Sequence, residues 1–450
     1  MGILFGTDGI RGMANTYPMT AETALKTGRA VAKFFNNDNS KKIIIGKDTR
    51  ISGGVFESAL IAGICSMGSD VYIAGVIPTP GISYLAASMD DVAAGIVISA
   101  SHNPYHDNGI KIFKGDGYKL DDEMENQIEN IILNVEHEKL TEGVSKMGVV
   151  YSLENAPENY ISFLKKAVPE FDNSFIGIKA VIDCSNGASS SIAKTFFEKA
   201  GIEVTALFTK PDGLNINDNC GSEHNDTMIK KVIERKADIG LAFDGDADRL
   251  IAVDETGKVI TGDQIIAICA KYAKETGLLL NNTVVTTVMS NMGLSKALSN
   301  LEIDHIMAGV GDRYVMIDMK KSGAVIGGED SGHMIFLNHH TTGDGMLSAL
   351  KLLEVIKNTG KPLSELAQIM TIFPQKLLNV DVKSKPEIDT IPEIVETIKQ
   401  AENDLNGKGR VLVRYSGTQP MLRVMVEAET NEDTDKYCNM IADVVRNSIG

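Results

Sequence analysis

The chain has 450 residues, of which 43% are hydrophobic and 23% are charged, proportions that are typical of globular proteins and exclude a disordered or fibrous chain. Its 44 basic and 60 acidic residues give a formal net charge of −16, which disfavours nucleic acid and anionic membrane surfaces as partners. Five widely spaced cysteines without a C-x-x-C pair indicate reduced thiols and a cytoplasmic protein, and no apolar run approaches the ~20 residues that cross a bilayer.

Strand-like apolar runs alternate with helical patterns over most of the chain. The first set comprises a strand at 43–46, a helix at 55–67 and a strand at 70–75, and later sets begin at 179–183 and 283–287. Such alternation predicts three α/β domains with mixed, mainly parallel sheets.

After Pro374 the order of predicted elements changes. The pattern is strand, helix, strand, strand, helix, at 377–382, 391–401, 411–415, 422–428 and 434–447. This order predicts a small C-terminal α+β domain. We therefore predict four domains, 1–150, 151–252, 253–370 and 371–450.

A serine follows one of the predicted buried strands, 95–100, and begins the sequence Ser101-His-Asn-Pro. Ligands of α/β sheets bind beyond the carboxyl ends of the strands, so Ser101 lies where a nucleophile is expected. Ser, Asn and Pro also form ordinary turns. Position alone leaves both interpretations open.

The segment 244–249, Asp-Gly-Asp-Ala-Asp-Arg, lies between two apolar strand-like runs. Asp244, Asp246 and Asp248 alternate with other residues, and their carboxylates can converge on a hard cation such as Mg²⁺. Together with Glu255 the spacing imitates a calcium loop, but an arginine stands where that loop needs glycine. An acidic surface turn is a weaker alternative, because crowded carboxylates repel one another without a cation. Two further pairs are weaker metal candidates: Cys220 with His224, and His339 with His340.

Two later segments carry polar side chains suited to a sugar phosphate. Segment 328–333, Gly-Glu-Asp-Ser-Gly-His, follows an apolar run, and its Glu and Ser can bind sugar hydroxyls, although a helix N-cap is an equal alternative. Segment 414–423 has an arginine at each end and two hydroxyls beside a glycine turn, which favours a phosphate site over a plain β-turn.

These motifs together resemble the α-D-phosphohexomutase superfamily, with at least one signature in each predicted domain. The matching segments are Phe-Gly-Thr-Asp-Gly-Ile-Arg-Gly at 5–12, Ser-Ala-Ser-His-Asn-Pro at 99–104, Asn-Gly-Ile-Lys at 108–111, and the segments 244–249, 328–333 and 414–423. The resemblance implies four domains around a central cleft and a phosphoryl group carried by Ser101.

The resemblance also assigns roles to individual residues. It implies a catalytic role for Ser101, Arg11, His102, Lys111, Arg249 and His333. It implies one Mg²⁺ per chain, held by Ser101, Asp244, Asp246 and Asp248. It implies that substrate is bound by Arg313, Glu329, Ser331, Arg414, Ser416, Gly417, Thr418 and Arg423.

The substrate class follows from further segments at 46–50, 309–315 and 340–345, which resemble the superfamily branch that acts on glucosamine phosphate. This branch interconverts glucosamine 6-phosphate and glucosamine 1-phosphate through a hexosamine 1,6-bisphosphate and feeds UDP-N-acetylglucosamine synthesis. Action on mannose or glucose phosphate, and a sugar-phosphate phosphatase, are the alternatives. A hexose phosphate is the expected partner, and the oligomeric state is left open, a homodimer included.

Overall fold

The computed structural model describes residues 2–6, 8–35, 42–416 and 420–450. The chain divides into two compact units, one formed by Met1–Val288 with Asp304–Gln368 and the other by Met289–Ile303 with Ile369–Gly450. No helix in the described ranges is both long enough and apolar enough to span a membrane.

The first unit begins with a seven-stranded sheet in the order β1-β2-β6-β5-β3-β4-β7. Its elements are β1 (Phe5–Gly6), β2 (Gly9–Met13), α1 (Ala21–Phe35), β3 (Lys42–Lys47), α2 (Gly53–Ser66), β4 (Val71–Val76), α3 (Thr79–Ser88), β5 (Val92–Ile98), β6 (Asp107–Lys114), α4 (Asp122–Asn134), α5 (His137–Leu140) and β7 (Val150–Ser152). β3 pairs in parallel with β4 and β5, whereas β6 pairs antiparallel with β2 and β5. The three isoleucines of β3 are at most 1% exposed, as a central strand covered on both faces requires.

A five-stranded sheet follows, in the order β12-β11-β10-β8-β9. Its elements are α6 (Ala156–Lys165), β8 (Lys179–Asp183), α7 (Ala193–Lys199), β9 (Glu203–Leu207), α8 (Asp226–Arg235), β10 (Ile239–Phe243), β11 (Leu250–Asp254) and β12 (Val259–Ile260). β8 lies parallel to β9 and β10, and β11 turns back antiparallel to β10. The acidic segment 244–249 is therefore the loop between two paired strands.

The third sheet has four strands in the order β14-β13-β15-β16. This part of the chain contains α9 (Gly262–Glu275), β13 (Thr283–Thr287), α10 (Met292–Asn300), β14 (Asp304–Ala308), α11 (Asp312–Ser322), β15 (Ile326–Gly328), β16 (Met334–Phe336), α12 (Gly345–Thr359) and α13 (Leu363–Leu366). Helix α10 belongs to the second unit, although it lies between β13 and β14 in sequence.

The second unit is built on a three-stranded antiparallel sheet in the order β17-β19-β18. Its remaining elements are β17 (Gln375–Asp381), α14 (Pro392–Leu405), β18 (Gly409–Tyr415), β19 (Met421–Ala428) and α15 (Asn431–Ile449). The predicted strand-helix-strand-strand-helix order is confirmed, with ends shifted by a few residues. The predicted class of three mixed α/β sheets followed by an α+β domain is also confirmed, with antiparallel strands at the sheet edges.

Candidate active site

Ser101 lies in the loop after β5, at the carboxyl end of a buried strand. Its side chain is buried, and its backbone φ of +53° lies in the left-handed region that non-glycine residues rarely adopt. The hydroxyl Oγ donates a 2.6 Å hydrogen bond to Oδ2 of Asp244 and lies 3.3 Å from Nδ1 of His102. The predicted nucleophile and the predicted metal loop therefore meet in the first unit.

The acidic loop brings three buried carboxylates together. Three carboxylate oxygens, one from each of Asp244, Asp246 and Asp248, lie within 4.8 Å of one another. Within the described ranges, Oδ1 of Asp246 and Oδ1 of Asp248 are buried and have no hydrogen-bond partner. Burial and the neighbouring carboxylates raise the pKa of Asp244 well above its usual value. Orphaned buried oxygens and mutual repulsion are what a hard divalent cation satisfies, so the site fits Mg²⁺.

Ala247 of this loop has a left-handed backbone with a φ of +56°, a conformation that glycine adopts more readily than alanine. The alanine keeps the loop conformation and all three carboxylates.

The calcium-loop alternative is wrong for Glu255. Its carboxylate accepts hydrogen bonds from the backbone N and the hydroxyl of Ser364 at the start of α13, so it does not join the acidic loop. The pair His339 and His340 is no metal site either, because Nε2 of His340 bonds the Pro80 carbonyl at 2.9 Å and Nδ1 accepts from the backbone N of Thr341 at 2.8 Å. Cys220 with His224 gains no third ligand among the described residues.

Lys111 of β6 joins the carboxylates of two loops. Its Nζ lies 2.8 Å from Oδ2 of Asp246, 3.2 Å from Oδ2 of Asp248 and 3.1 Å from Oδ2 of Asp8. Burial alone would lower the pKa of Lys111, but the three carboxylates outweigh it and raise the pKa well above its usual value. Lys111 is therefore held as an ammonium ion.

Two arginines and one histidine complete the charged surroundings of Ser101. Arg11 of β2 pairs with Asp8, and the Arg249 side chain lies 3.6 Å from Glu223 and 4.0 Å from Oδ1 of Asp248. Burial, together with Arg249 and Arg11, lowers the pKa of His102 to about 4. The imidazole beside Ser101 is thus neutral near pH 7.

The segment 328–333 is the turn between the antiparallel strands β15 and β16, so the helix N-cap alternative is wrong. His333 forms a backbone bridge with Arg249, which joins this turn to the acidic loop. Its Nε2 lies 3.7 Å from Oδ2 of Asp312 and 4.0 Å from Oδ2 of Asp248, and neither ring nitrogen has a hydrogen-bond partner among the described residues. The Ser331 hydroxyl is buried and likewise has no hydrogen-bond partner in the part of the chain that the structure describes. Both side chains are available to a ligand.

The two acidic residues of the turn, Glu329 and Asp330, differ in their surroundings. Burial raises the pKa of Glu329, while His333 and Arg249 oppose the shift. Oδ1 of Asp330 accepts a 3.4 Å hydrogen bond from the backbone N of Asp263 at the start of α9. Asp330 therefore serves the helix N-terminus, where an anionic side chain is stabilised.

Arg313 occupies a different environment from the other predicted substrate residues. It lies in the first turn of α11, and its guanidinium pairs with Asp122 and Glu125 of α4. Its predicted contact with substrate remains a prediction.

Sequence reasoning missed Lys119 and Thr79. Lys119 bridges Asp8 and Asp312, with 2.6 Å from its Nζ to Oδ2 of Asp312. The Thr79 hydroxyl donates a 2.5 Å hydrogen bond to Oδ2 of Asp246. Neither residue belongs to a recognisable motif, and only the fold brings them to the acidic cluster.

In the second unit, Arg414 and Arg423 lie directly opposite each other on β18 and β19. Burial, and then Arg423, lower the pKa of Arg414, and Nε of Arg423 is buried and has no hydrogen-bond partner among the described residues, which leave out 417–419. Nearby, Nζ of Lys385 donates a 2.8 Å hydrogen bond to the carbonyl of Ser416. Like charges opposite each other repel, so an anion between the arginines would stabilise the hairpin. Gly417 and Thr418 lie outside the described residues.

Four family models match the chain in order. Residues 2–139, 158–257 and 261–373 match the alpha/beta/alpha domains I, II and III of phosphoglucomutase/phosphomannomutase, and 377–444 match its C-terminal domain. The chain therefore belongs to the phosphoglucomutase/phosphomannomutase family.

Full-length relatives refine this relationship. The chain is 58% identical to the phosphoglucosamine mutase of Syntrophus aciditrophicus and 53% identical to that of Syntrophobacter fumaroxidans, and each alignment covers 100% of both chains. The expected relationship to the glucosamine-phosphate branch is thus confirmed.

Solved structures share the fold at lower identity. A phosphoglucomutase/phosphomannomutase family protein from Burkholderia thailandensis matches with a TM-score of 0.79 and 22% identity, over 98% of this chain and 97% of that one. N-acetylphosphoglucosamine mutase of Aspergillus fumigatus, in complex with GlcNAc-6P and magnesium, matches with a TM-score of 0.67 and 16% identity, over 99% and 96%. These likenesses concern the fold.

Proposed function

We propose that the chain interconverts glucosamine 6-phosphate and glucosamine 1-phosphate through phosphorylated Ser101 and a bound glucosamine 1,6-bisphosphate. The observation that carries the proposal is the Ser101 hydroxyl, 2.6 Å from Asp244 inside a buried cluster of three carboxylates, with Lys111 and Arg249 alongside. A hydroxyl in such surroundings is suited to accept and return a phosphoryl group. The full-length relatives named phosphoglucosamine mutase support the choice of sugar.

We assign one Mg²⁺ per chain to Asp244, Asp246 and Asp248, with an oxygen on Ser101 as a further ligand. When bound, the cation would neutralise charge that develops on the transferred phosphoryl oxygens. The arginines Arg11 and Arg249 add positive charge at the same place, and Lys111 orients the carboxylates as a fixed ammonium ion. The neutral His102 imidazole can orient the Ser101 hydroxyl.

Proton transfer with the sugar hydroxyl falls to a group beside the metal loop. His333 and Lys111 are the candidates, because both approach Oδ2 of Asp248, at 4.0 and 3.2 Å. Neither ring nitrogen of His333 has a hydrogen-bond partner in the described part of the chain, whereas the Lys111 ammonium already pairs with three carboxylates. This contrast favours His333.

The four domains then take separate tasks. We propose 1–150 as the phosphoserine-loop domain, 151–252 as the metal-binding domain, 253–370 as the sugar-binding domain and 371–450 as the phosphate-binding domain.

All five cysteines of the sequence lie in the described ranges and are buried as free thiols, which supports our proposal of a cytoplasmic location.

We expect glucosamine 6-phosphate to be the best substrate by only a small margin over glucose 6-phosphate. A site that accepts the sugar in both orientations can bind only hydroxyls that nearly superpose, which we assign to Glu329 and Ser331. Since the Asp330 carboxylate is engaged at the start of α9, a 2-amine would be recognised weakly, by roughly a factor of five or less. Mannose 6-phosphate, with an axial 2-hydroxyl, should be the poorest, by about tenfold or more.

Comparison of kcat/KM for the three hexose 6-phosphates tests this assignment. A clear preference for mannose would move the function to phosphomannomutase. Stoichiometric release of inorganic phosphate without sugar 1-phosphate would instead indicate a phosphatase.

We propose that Arg414 and Arg423 bind the phosphate that does not react. Loss of a charge-assisted contact in Arg414→Ala should raise KM by about 10- to 100-fold, with a smaller fall in kcat from poorer positioning. Steady-state kinetics with glucosamine 6-phosphate measure the split. Arg446→Ala is the matched control, because the Arg446 side chain forms an exposed ion pair with Asp443 in the same unit. An unchanged KM in Arg414→Ala would contradict the assignment.

A further inference from the structure

A set of polar side chains, three of them buried and one half-buried, holds the backbone of segment 101–104, and we call this set the loop cradle. Its members are Asp48, Arg50, Ser99 and Asn217. Asp48 and Arg50 follow β3, and Asn217 comes from the part of the chain between β9 and α8.

The Arg50 guanidinium donates to three backbone carbonyls of the loop. Its Nη2 lies 2.9 Å from the carbonyl of Ser101 and 2.8 Å from that of Asn103, and its Nη1 bonds the carbonyl of Pro104 at 2.5 Å. Its Nε bonds Oδ2 of Asp48 at 2.9 Å, and both side chains of this pair are 0% exposed. The planar guanidinium fork serves all four acceptors at once, which a lysine ammonium cannot do in the same geometry.

The same carboxylate also fixes the other side of Ser101. The Ser99 hydroxyl donates to Oδ2 of Asp48 at 2.6 Å and accepts from the backbone N of Ser101 at 2.9 Å. Asp48 is therefore linked to the Ser101 N–H through the Ser99 hydroxyl and to the Ser101 carbonyl through the Arg50 guanidinium.

Asn217 adds a second donor to the same carbonyls. Its Nδ2 lies 2.9 Å from the carbonyl of Ser101 and 2.9 Å from that of Asn103. A Cβ at Gly245 would meet the Ser101 carbonyl oxygen at 2.6 Å. The carbonyl therefore packs against the bare glycine of the acidic loop, which couples the two loops.

These contacts explain how Ser101 keeps a left-handed backbone. Its φ of +53° is disfavoured for a non-glycine residue and persists only where the surroundings enforce it. In this conformation the hydroxyl points at Asp244. We propose that Arg50 and Asp48, with Asn217, are positioning residues that lock Ser101 in the left-handed conformation required for phosphoryl transfer. The proposal rests on the proposed role of Ser101 as phosphoryl carrier.

Arg50→Lys tests the proposal through the division between kcat and KM. The variant keeps the charge beside Asp48 but loses most carbonyl contacts, so kcat should fall about 100-fold, as a small misplacement of a reacting group predicts. KM for glucosamine 6-phosphate should stay within about threefold, since the Arg50 guanidinium is buried and already bonded to Asp48 and to three backbone carbonyls of the loop. Asn217→Ala should lower kcat about tenfold in the same selective way. The double variant should lose less than the product of the two effects, because both side chains bind the same carbonyls.

Arg29→Lys is the matched control. Arg29 is a partly buried arginine that donates to the Ser66 hydroxyl and the His137 carbonyl, at 3.2 Å each, away from segment 101–104. It should retain kcat within about twofold.

Phosphate on Ser101 of the wild-type protein, measured by peptide mass spectrometry, separates the two hypotheses. Wild-type enzyme that is active without phospho-Ser101 overturns the proposed function. The positioning role is overturned by a different pair of results. In that case the wild-type enzyme carries phospho-Ser101, but a folded Arg50→Lys variant keeps its kcat or changes only its KM. Where Arg50→Lys fails to fold, the half-buried Asn217 decides the question, and an unchanged kcat in Asn217→Ala refutes the cradle.

Discussion

Ser101→Ala should lower kcat for glucosamine 6-phosphate by about 10⁴-fold or more, because it removes the only group to which we assign a covalent step. The Oγ atom is buried and hydrogen-bonded to Asp244, and alanine offers no oxygen in its place. KM is expected to change little, since the sugar contacts are assigned to Glu329 and Ser331. Fixed-time assays of glucosamine 1-phosphate formation measure the fall in kcat.

Ser58→Ala is the control for this variant. Ser58 is an exposed helical serine whose hydroxyl bonds the Gly54 carbonyl at 2.8 Å, and its loss should leave kcat unchanged within about twofold. Peptide mapping should find phosphate on Ser101 in the wild-type protein and none at that position in the variant. Activity of Ser101→Ala within tenfold of wild type would remove Ser101 from the covalent role.

Asp246→Asn should lower kcat by about 10² to 10³-fold, corresponding to several kcal/mol of lost transition-state stabilisation. Oδ1 of Asp246 has no hydrogen-bond partner among the described residues and is available to the cation. Its Oδ2 accepts hydrogen bonds from Lys111 and Thr79. The substitution therefore weakens the metal site and loosens the ammonium beside it. Titration calorimetry with Mg²⁺ should show weaker binding in the variant, independently of turnover.

Chelation tests the same site without a substitution. Excess EDTA should stop turnover, and excess Mg²⁺ should restore it. Asp116→Asn serves as the control variant, because Asp116 is exposed and its carboxylate binds Lys114 and the backbone N of Tyr118 rather than the acidic loop. An unchanged rate in EDTA, or Asp246→Asn with wild-type Mg²⁺ affinity and rate, would contradict the metal assignment.

Local patterns were sufficient to predict most of the fold. The strands at 179–183 and 283–287 have the predicted bounds, because short apolar runs between polar turns identify buried strands. The three aspartates of the acidic loop could also be predicted as metal ligands, because they lie within five consecutive residues. The strands on either side of the loop, β10 and β11, pair antiparallel and keep the loop short.

Contacts between distant segments could not be read from periodicity. The bond from Ser101 to Asp244 spans 143 residues and the bond from Lys119 to Asp312 spans 193, so the sequence indicated the first only through family resemblance and the second not at all. The role of Arg50 was hidden for the same reason. Its motif was visible, but its acceptors are backbone carbonyls that carry no sequence signal.

The fate of a labelled phosphate on Ser101 tests the central claim most directly. Enzyme carrying ³²P-phosphate on Ser101 is mixed with unlabelled glucosamine 6-phosphate and quenched within one turnover. We predict that the label moves first into glucosamine 1,6-bisphosphate and then into glucosamine monophosphate, as Ser101 takes back the other phosphate. Release of the label as inorganic phosphate, or its retention on Ser101 while product forms, would contradict phosphoryl transfer through Ser101.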